Sequence, residues 1–474
     1  MSDWSAERSG LASRRAVLQM GAALAAVGCV GGEDGAKDSD PEGDSGADGG
    51  GDTGASLEPA PERSPEPAPW EPPGVVDERT FPYGIQTGDA LPDGVVVSVR
   101  SFGAPFSLTL VRAEGDGWVE DQVFTDIGHD ENGEVAQVVL SGLRPDTAYS
   151  VAMQSAGGFW TRPGRFRTAL AADGWRILRL GATSCLGGNE PWRALSVAAT
   201  EALDAFLLLG DTVYADGSVD LEDYRLFWKQ AAQTRGMVEL SASTSLIATW
   251  DDHEVDNNWS PETLPPETFQ DALTAFREAL PQRRGPGGTG VWRSFTWGKT
   301  LEIFVLDCRG ERGEGRYISE EQLQWLQDGL SASEARFKFI MNSVPITDLS
   351  AIFGAAGASD RWQGYPEQRE RVLRHIEDNA IAGVLWVTGD VHYPQVGQVD
   401  PVGGTAARQV EVFTGPGGSF LNVAASLFVG DPQYSWVGYA WNWCRFTLDP
   451  GLGTVLVQFV GDDGGLLYET TLRL

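Results

Sequence analysis

Five times in this chain a short apolar run stops abruptly at a polar donor, and no other feature constrains the fold as strongly. Leu207-Leu208-Leu209 runs into Gly210-Asp211-Thr212-Val213-Tyr214. Residues 177–182 run into Thr183-Ser184-Cys185, and 246–250 into Asp251-Asp252-His253-Glu254. Residues 301–306 run into Asp307-Cys308-Arg309, and 384–388 into Gly389-Asp390-Val391-His392. Apolar runs of this length bounded by turn residues predict buried strands. Gly210 permits a tight turn at its strand end. The carboxyl tips of strands are where open α/β sheets place their ligand sites. A lone Gly-Asp reads as a turn cap. Donors at five successive strand exits read as one shared site, and a buried carboxylate such as Asp211 then needs a cation, because it is costly unpaired.

The chain has 474 residues, enough for two or three domains. Its net charge of −32 argues against nucleic acid as a partner. Four cysteines (Cys29, Cys185, Cys308 and Cys444) are too few for a disulfide scaffold. Cys308 and Cys444 read equally as one disulfide or as two buried thiols. Only four histidines are present (His129, His253, His375 and His392), so an all-histidine metal site is excluded and a metal cluster must lean on oxygen ligands. His129 and His375 read as surface residues.

Residues 1–29 read as an export signal. Ser13-Arg14-Arg15-Ala16-Val17-Leu18 resembles a twin-arginine motif, followed by an apolar run too short to span a bilayer. Ala26-Val27-Gly28-Cys29 resembles a lipobox, with Cys29 as a possible lipid anchor. Residues 30–75, rich in Gly, Asp, Glu, Pro and Ser, read as a disordered acidic linker. Residues 76–170 predict strands near 95–99, 106–112, 135–140 and 149–154. Leu143-Arg144-Pro145-Asp146-Thr147-Ala148-Tyr149 resembles the tyrosine corner of fibronectin type III domains, so this part reads as a small fibronectin-like β-sandwich.

From residue 171 strands alternate with helices. Trp192, Leu195, Ala199, Ala202 and Leu203 share one helical face. Ser319-Glu320-Glu321-Gln322 reads as a capping box opening a helix. Late β segments near 409–413, 443–448, 454–460 and 466–472 complete the expectation of a two-sheet α/β sandwich over 171–474.

The strand-tip residues form a mixed donor set. Its oxygen-rich part suits a hard cation, and a thiolate with a phenolate suits ferric ion. Two metals could activate water and clamp a phosphoryl oxygen, and Arg309 could bind phosphate bidentately. Asp251 and Asp307 read as residues that cap or orient their neighbours.

Six segments carry a specific resemblance: 81–89 (Phe-Pro-Tyr-Gly-Ile-Gln-Thr-Gly-Asp), Ser184-Cys185, Gly210-Asp211-Thr212-Val213-Tyr214, Trp250-Asp251-Asp252-His253-Glu254 with Asn257-Asn258, Leu306-Asp307-Cys308-Arg309, and Gly389-Asp390-Val391-His392. In kind and order they resemble the PhoD-like phosphatase (alkaline phosphatase D) family, and Asp360-Arg361-Trp362-Gln363-Gly364-Tyr365 is similar to that family's Trp-x-Gly-Tyr stretch. The resemblance covers about residues 78–474. It implies a four-layer α/β/β/α metallophosphoesterase sandwich, twin-arginine export, and ferric iron with calcium as cofactors. It implies Cys185, Asp211, Tyr214 and Asp390 as iron-side ligands. Asp252 with Asn257 or Asn258 would lie on the calcium side or contact phosphate, and His392 would be near the site.

The expected reaction is hydrolysis of phosphate mono- or diesters by metal-activated hydroxide. Asn258 is assigned as the metal-binding asparagine and Asn257 to catalysis with Arg309, His392 and His253. The expected state is a periplasmic, lipid-anchored or secreted monomer. The sequence departs from the family in one place: glutamate often follows the motif tyrosine, whereas Ala215 and then Asp216 stand here. Two other readings remain open, a lipid phosphodiesterase of the phospholipase D kind and a non-catalytic surface lipoprotein with a structural metal.

Overall fold

Alternation along one strand decides the layering. In Ala205–Leu209, Phe206 and Leu208 pack into one apolar cluster and Leu207 and Leu209 into another. Successive side chains of a strand point to opposite faces, so this strand is buried on both sides. The computed structural model describes residues 58–101, 104–130, 133–187, 191–350, 354 and 358–474. The export-like segment and Cys29 lie outside the described residues.

A nine-stranded sheet and a seven-stranded sheet pack face to face through the cluster that holds Leu207, Leu209, Ile303, Phe339, Val387 and Phe446. Leu221–Gln233, Arg235–Ser241 and Pro266–Ala279 cover the outer face of the larger sheet. Glu320–Ala332 and Pro366–Asp378 cover the smaller one. The result is the four-layer α/β/β/α sandwich expected from the sequence.

Leu178–Thr183, Ala205–Leu209 and Leu246–Thr249 are parallel neighbours in the larger sheet. Leu301–Val305, Phe337–Asn342, Val384–Thr388 and Val410–Phe413 are parallel neighbours in the smaller. Their carboxyl tips meet at one edge, where the Thr249 hydroxyl donates to the Leu306 carbonyl at 2.7 Å and the Ser184 hydroxyl to the Thr414 carbonyl at 2.7 Å.

The amino-terminal β region shares the larger sheet. Ile85–Leu91 runs parallel beside Leu246–Thr249, and Gly94–Arg100 and Val135–Ser141 extend the sheet beyond it. A four-stranded sheet lies over these three strands, with Val97, Leu110, Leu140 and Tyr149 between the layers. Tyr149 closes the corner as its motif suggested, its hydroxyl accepting the Arg144 N–H at 2.9 Å.

Three expectations are corrected. The linker does not stay detached up to residue 75. Ala60 is buried with its N–H on Asp449, the Pro61 carbonyl accepts the Ile177 N–H, and Glu62 pairs with Arg179. The helix that opens after Trp192 is Arg193–Ala198, short enough to leave Ala202 and Leu203 outside it. The capping box is half formed. Ser319 accepts the Gln322 N–H, but the Gln322 amide turns away to bond both backbone groups of Asp307. His129 is half-buried against Phe106, and His375 is half-buried with its ring nitrogen on the Gln327 carbonyl.

Candidate metal centre

Each strand ends in a sharp reversal that aims its polar residue at the shared edge. Cys185, Asp211, Asn258, Asp390 and His392 all have positive φ, between 53° and 68°. Non-glycine residues in this region store about 1–3 kcal/mol each and concentrate at functional sites. Gly210 must be glycine, since a Cβ there would stand 2.5 Å from the Asp251 Cβ. Glu254 braces the turns: its buried carboxylate accepts the N–H groups of Asp211, Thr212 and Asp251 at 3.1, 2.6 and 2.8 Å. Burial, opposed by these bonds, moves its pKa up to about 7.

The buried Cys185 thiol lies 3.4 Å from Asp211 Oδ2. Burial, and then the Asp211 charge, push that thiol well above its ordinary pKa. Asp211 is itself raised, first by burial and then by the neighbouring carboxylates against the pull of His253. Its Oδ1 is buried with no protein partner. The Tyr214 hydroxyl lies 3.1 Å from His392 Nε2. His392 Nδ1 donates to the Phe420 carbonyl at 3.0 Å, and burial lowers this imidazole to about 4. The ring is therefore neutral with its proton on Nδ1, and the Nε2 lone pair faces Tyr214 and Asp211.

Asp252 accepts the N–H groups of His253 and Asn258. Burial opposes its ionisation, but the charges of His253 and Arg309 hold it below the usual carboxylate range. His253 stacks on Tyr214 with centroids 4.1 Å apart, and its Nδ1 lies 2.9 Å from both oxygens of Asp216. Burial acts against protonation of His253, yet Asp252, Asp211 and Asp216 together raise its pKa well above the ordinary value. Asp216, the residue at the departure from the family pattern, therefore anchors a histidine. Asn257 and Asn258 are exposed at the rim. In the amide orientation that satisfies its neighbours, Asn258 donates to Asp252 and Asp360 and accepts from Asn257.

Arg309 does not offer the bidentate phosphate clamp expected of it. Its side chain is fully buried, with Nε and one Nη on Asp251 at 2.7 and 3.0 Å and the other Nη on Asp360. The fork is already filled by carboxylates, one of which also accepts the Ser343 hydroxyl. Asp390 pairs instead with Arg361. Asp307 orients its neighbours, accepting Trp250 Nε1, the Thr289 hydroxyl and the Arg309 and Gly310 N–H groups. Cys308 and Cys444 are separate buried thiols, so the disulfide alternative falls. Cys308 lies against Asn342 and Cys444 in the inter-sheet cluster.

The donor set fits metal. Ligand atoms of Cys185, Asp211 and His392 lie within 4.8 Å of one another. So do those of Asp211, Asp252 and His253, and those of Asp251, Asp252 and Asp390. Asp211 and Asp252 each belong to two of these groups, and the unpartnered Asp211 Oδ1 is the buried atom that calls for a cation.

Comparison with known proteins gives the family and the fold. The family model of the PhoD-like phosphatases matches residues 180–427, which span every strand tip described above. The chain belongs to that family. Alkaline phosphatase D of Bacillus subtilis (strain 168) is 26% identical, over 66% of this chain and 64% of that protein. The match therefore spans less than two thirds of that relative's length. A solved structure of PhoD superposes with a TM-score of 0.71 at 22% identity, covering 85% of this chain and 90% of the other. Purple acid phosphatase PPD1 from yellow lupin (Lupinus luteus) seeds gives 0.61 at 16% identity, covering 82% and 74%. At such identities these structures bear on the fold alone, and both agree with the sandwich.

Several site residues escaped the sequence reading. Glu254 had a signal, standing inside the Asp-Asp-His-Glu run. Asp360 and Arg361 sit in a stretch noted only for its aromatic pattern. Ser343 had none. The wall formed by residues 414–420 was marked by glycines and lacks any apolar run into a donor. Gly415 packs on Ser184, Gly418 on the Leu186 backbone, the Ser419 hydroxyl on Tyr214, and Phe420 on His392.

Proposed function

We propose that this protein is an exported, metal-dependent phosphoric ester hydrolase acting on phosphate mono- and diesters. The observation that carries the reading is buried Asp211, whose ligand atoms lie close to those of Cys185, His392, Asp252 and His253 and whose Oδ1 has no hydrogen-bond partner. The family match adds the chemical class.

Cys185, Asp211 and Tyr214 would hold one metal, with Asp390 beside them, and Asp252 and Asn258 a second. A thiolate with a phenolate favours ferric iron, and carboxylate with amide oxygen favours calcium. Such ions supply positive charge for the phosphoryl oxygens and lower the pKa of water. The protein's own residues do the rest. His253, charged and fixed by Asp216, is placed to donate a proton to a leaving oxygen. His392, neutral, presents a lone pair from Nε2 toward the same edge. Asn257 at the rim is placed to contact the ester. Arg309 holds Asp251 in place from beneath and contributes its charge to the field, with its nearest Nη 3.8 Å from Asp252 and 3.9 Å from Asp390.

Export by the twin-arginine route and anchoring at Cys29 rest on the sequence motifs. Among the described residues no helix is long and apolar enough to cross a membrane. The test is hydrolysis of a phosphomonoester and a phosphodiester before chelation, after it, and after metal is restored. Turnover that falls on chelation and returns with metal supports the reading. Metal-loaded protein inert toward both esters would move it to a structural-metal surface protein.

A further inference from the structure

In a chain of net charge −32, the stretch from Val412 to Gly430 carries no charged side chain. It wraps the candidate metal centre from Ser184 round to His392 and then turns outward. Phe420 packs on the His392 ring with centroids 4.1 Å apart at 32°, while half of its surface stays open to solvent. Its carbonyl holds His392 Nδ1, and the next turn is tied back to the same histidine by the Asn422 N–H on the His392 carbonyl and the Asn422 amide on Val391. Val423, Leu427 and Val429 follow, exposed at 58%, 68% and 69%. Large apolar side chains grouped on a surface mark a binding site. In the chain these residues follow directly on Phe420, which stacks on His392.

We infer that this segment is an apolar lip that receives an apolar organic group of the phosphate ester, with Phe420 as the specificity-determining contact; the inference rests on the phosphoesterase reading above. The occupant is a substituent of the bound ester. Phe420 touches the histidine of the proposed site, so a group packed on its open face would lie beside that site. No charged side chain of the segment offers a partner to a charged group there. A strongly acidic protein is also poorly suited to rest on an anionic lipid surface.

Two esters of one leaving group separate the lip from the chemistry: p-nitrophenyl methyl phosphate and p-nitrophenyl hexyl phosphate, both kept below the aggregation threshold of the hexyl ester. The lip should favour the hexyl ester in kcat/KM by about tenfold or more, mainly through KM. Phe420→Ala should bring the ratio close to one, and Phe420→Leu should restore much of it. Calorimetric binding of methyl and hexyl phosphonate reads the same preference without turnover. A ratio near one in the native protein, a ratio unmoved by Phe420→Ala, or a preference that appears only above the aggregation threshold would overturn the lip. No turnover of either ester would instead count against the phosphoesterase reading, and equal phosphonate binding would then reject the lip on its own account.

Discussion

Two aspartates at neighbouring strand tips look alike in sequence and share Glu254 on their N–H groups, yet differ in what meets their carboxylates. Asp251 is closed: Arg309 grips both of its oxygens, Ser343 adds a third bond, and Arg309 continues to Asp360. Asp211 is open: one oxygen meets a thiol at 3.4 Å and the other has no hydrogen-bond donor on it, with Asp252 as a like-charged neighbour. Folding alone satisfies the first, which makes it scaffold. Folding leaves the second with an unsatisfied oxygen, which is why the metal is proposed there. The difference teaches that burial and charge do not by themselves mark a ligand; the state of the remaining lone pairs does.

The comparison breaks most severely at Arg309. Arg309→Met strands Asp251, while Asp360 keeps Arg312 at 2.8 Å, and loss of one partner of a buried pair costs about 3–5 kcal/mol. Urea unfolding of the metal-free protein should show that loss. Asp211→Asn should do the reverse, lowering phosphoester turnover by about a hundredfold or more, with metal-free stability unchanged or higher, since a carboxyl already raised by burial is exchanged for a neutral isostere.

His392 sharpens the same point through pH. Its folded pKa, lowered to about 4, lies below the ordinary value of 6.5. The unfolded chain therefore binds the proton first, and stability falls as pH drops from 6.5 toward 4, by up to about 3 kcal/mol. In metal-free protein, His392→Gln should flatten that part of the unfolding free-energy curve.

Glu254→Gln is a smaller break. Glutamine keeps one acceptor where three N–H groups converge, and an orphaned N–H costs about 1–3 kcal/mol; thermal melts with and without metal should both drop. Asp216→Asn is smallest for stability, within about 1 kcal/mol because the pair is partly exposed. Its clearer effect should be a lower His253 pKa in an NMR titration.

Much of this was legible in the sequence, and the reason is local. A strand that ends in Gly-Asp or Ser-Cys announces both the layer and the edge, so the sandwich and the donor-bearing tips could be read from short segments. Whether a donor is open or closed depends on partners far along the chain. Arg309 looked like a phosphate clamp because nothing near it in sequence shows Asp360 lying on its far side. Phe420 acts from a loop without a donor motif, and the strap of residues 58–70 hid in a composition that reads as tether. Long-range pairing, rather than residue type, is what short segments do not carry.

Metal analysis of native protein beside Asp211→Asn, both exported in folded form, tests the central claim most directly. Tightly held metal in the native protein and its loss from the variant is the result expected from an open carboxylate. Equal metal in both, or none in the native protein, would contradict it.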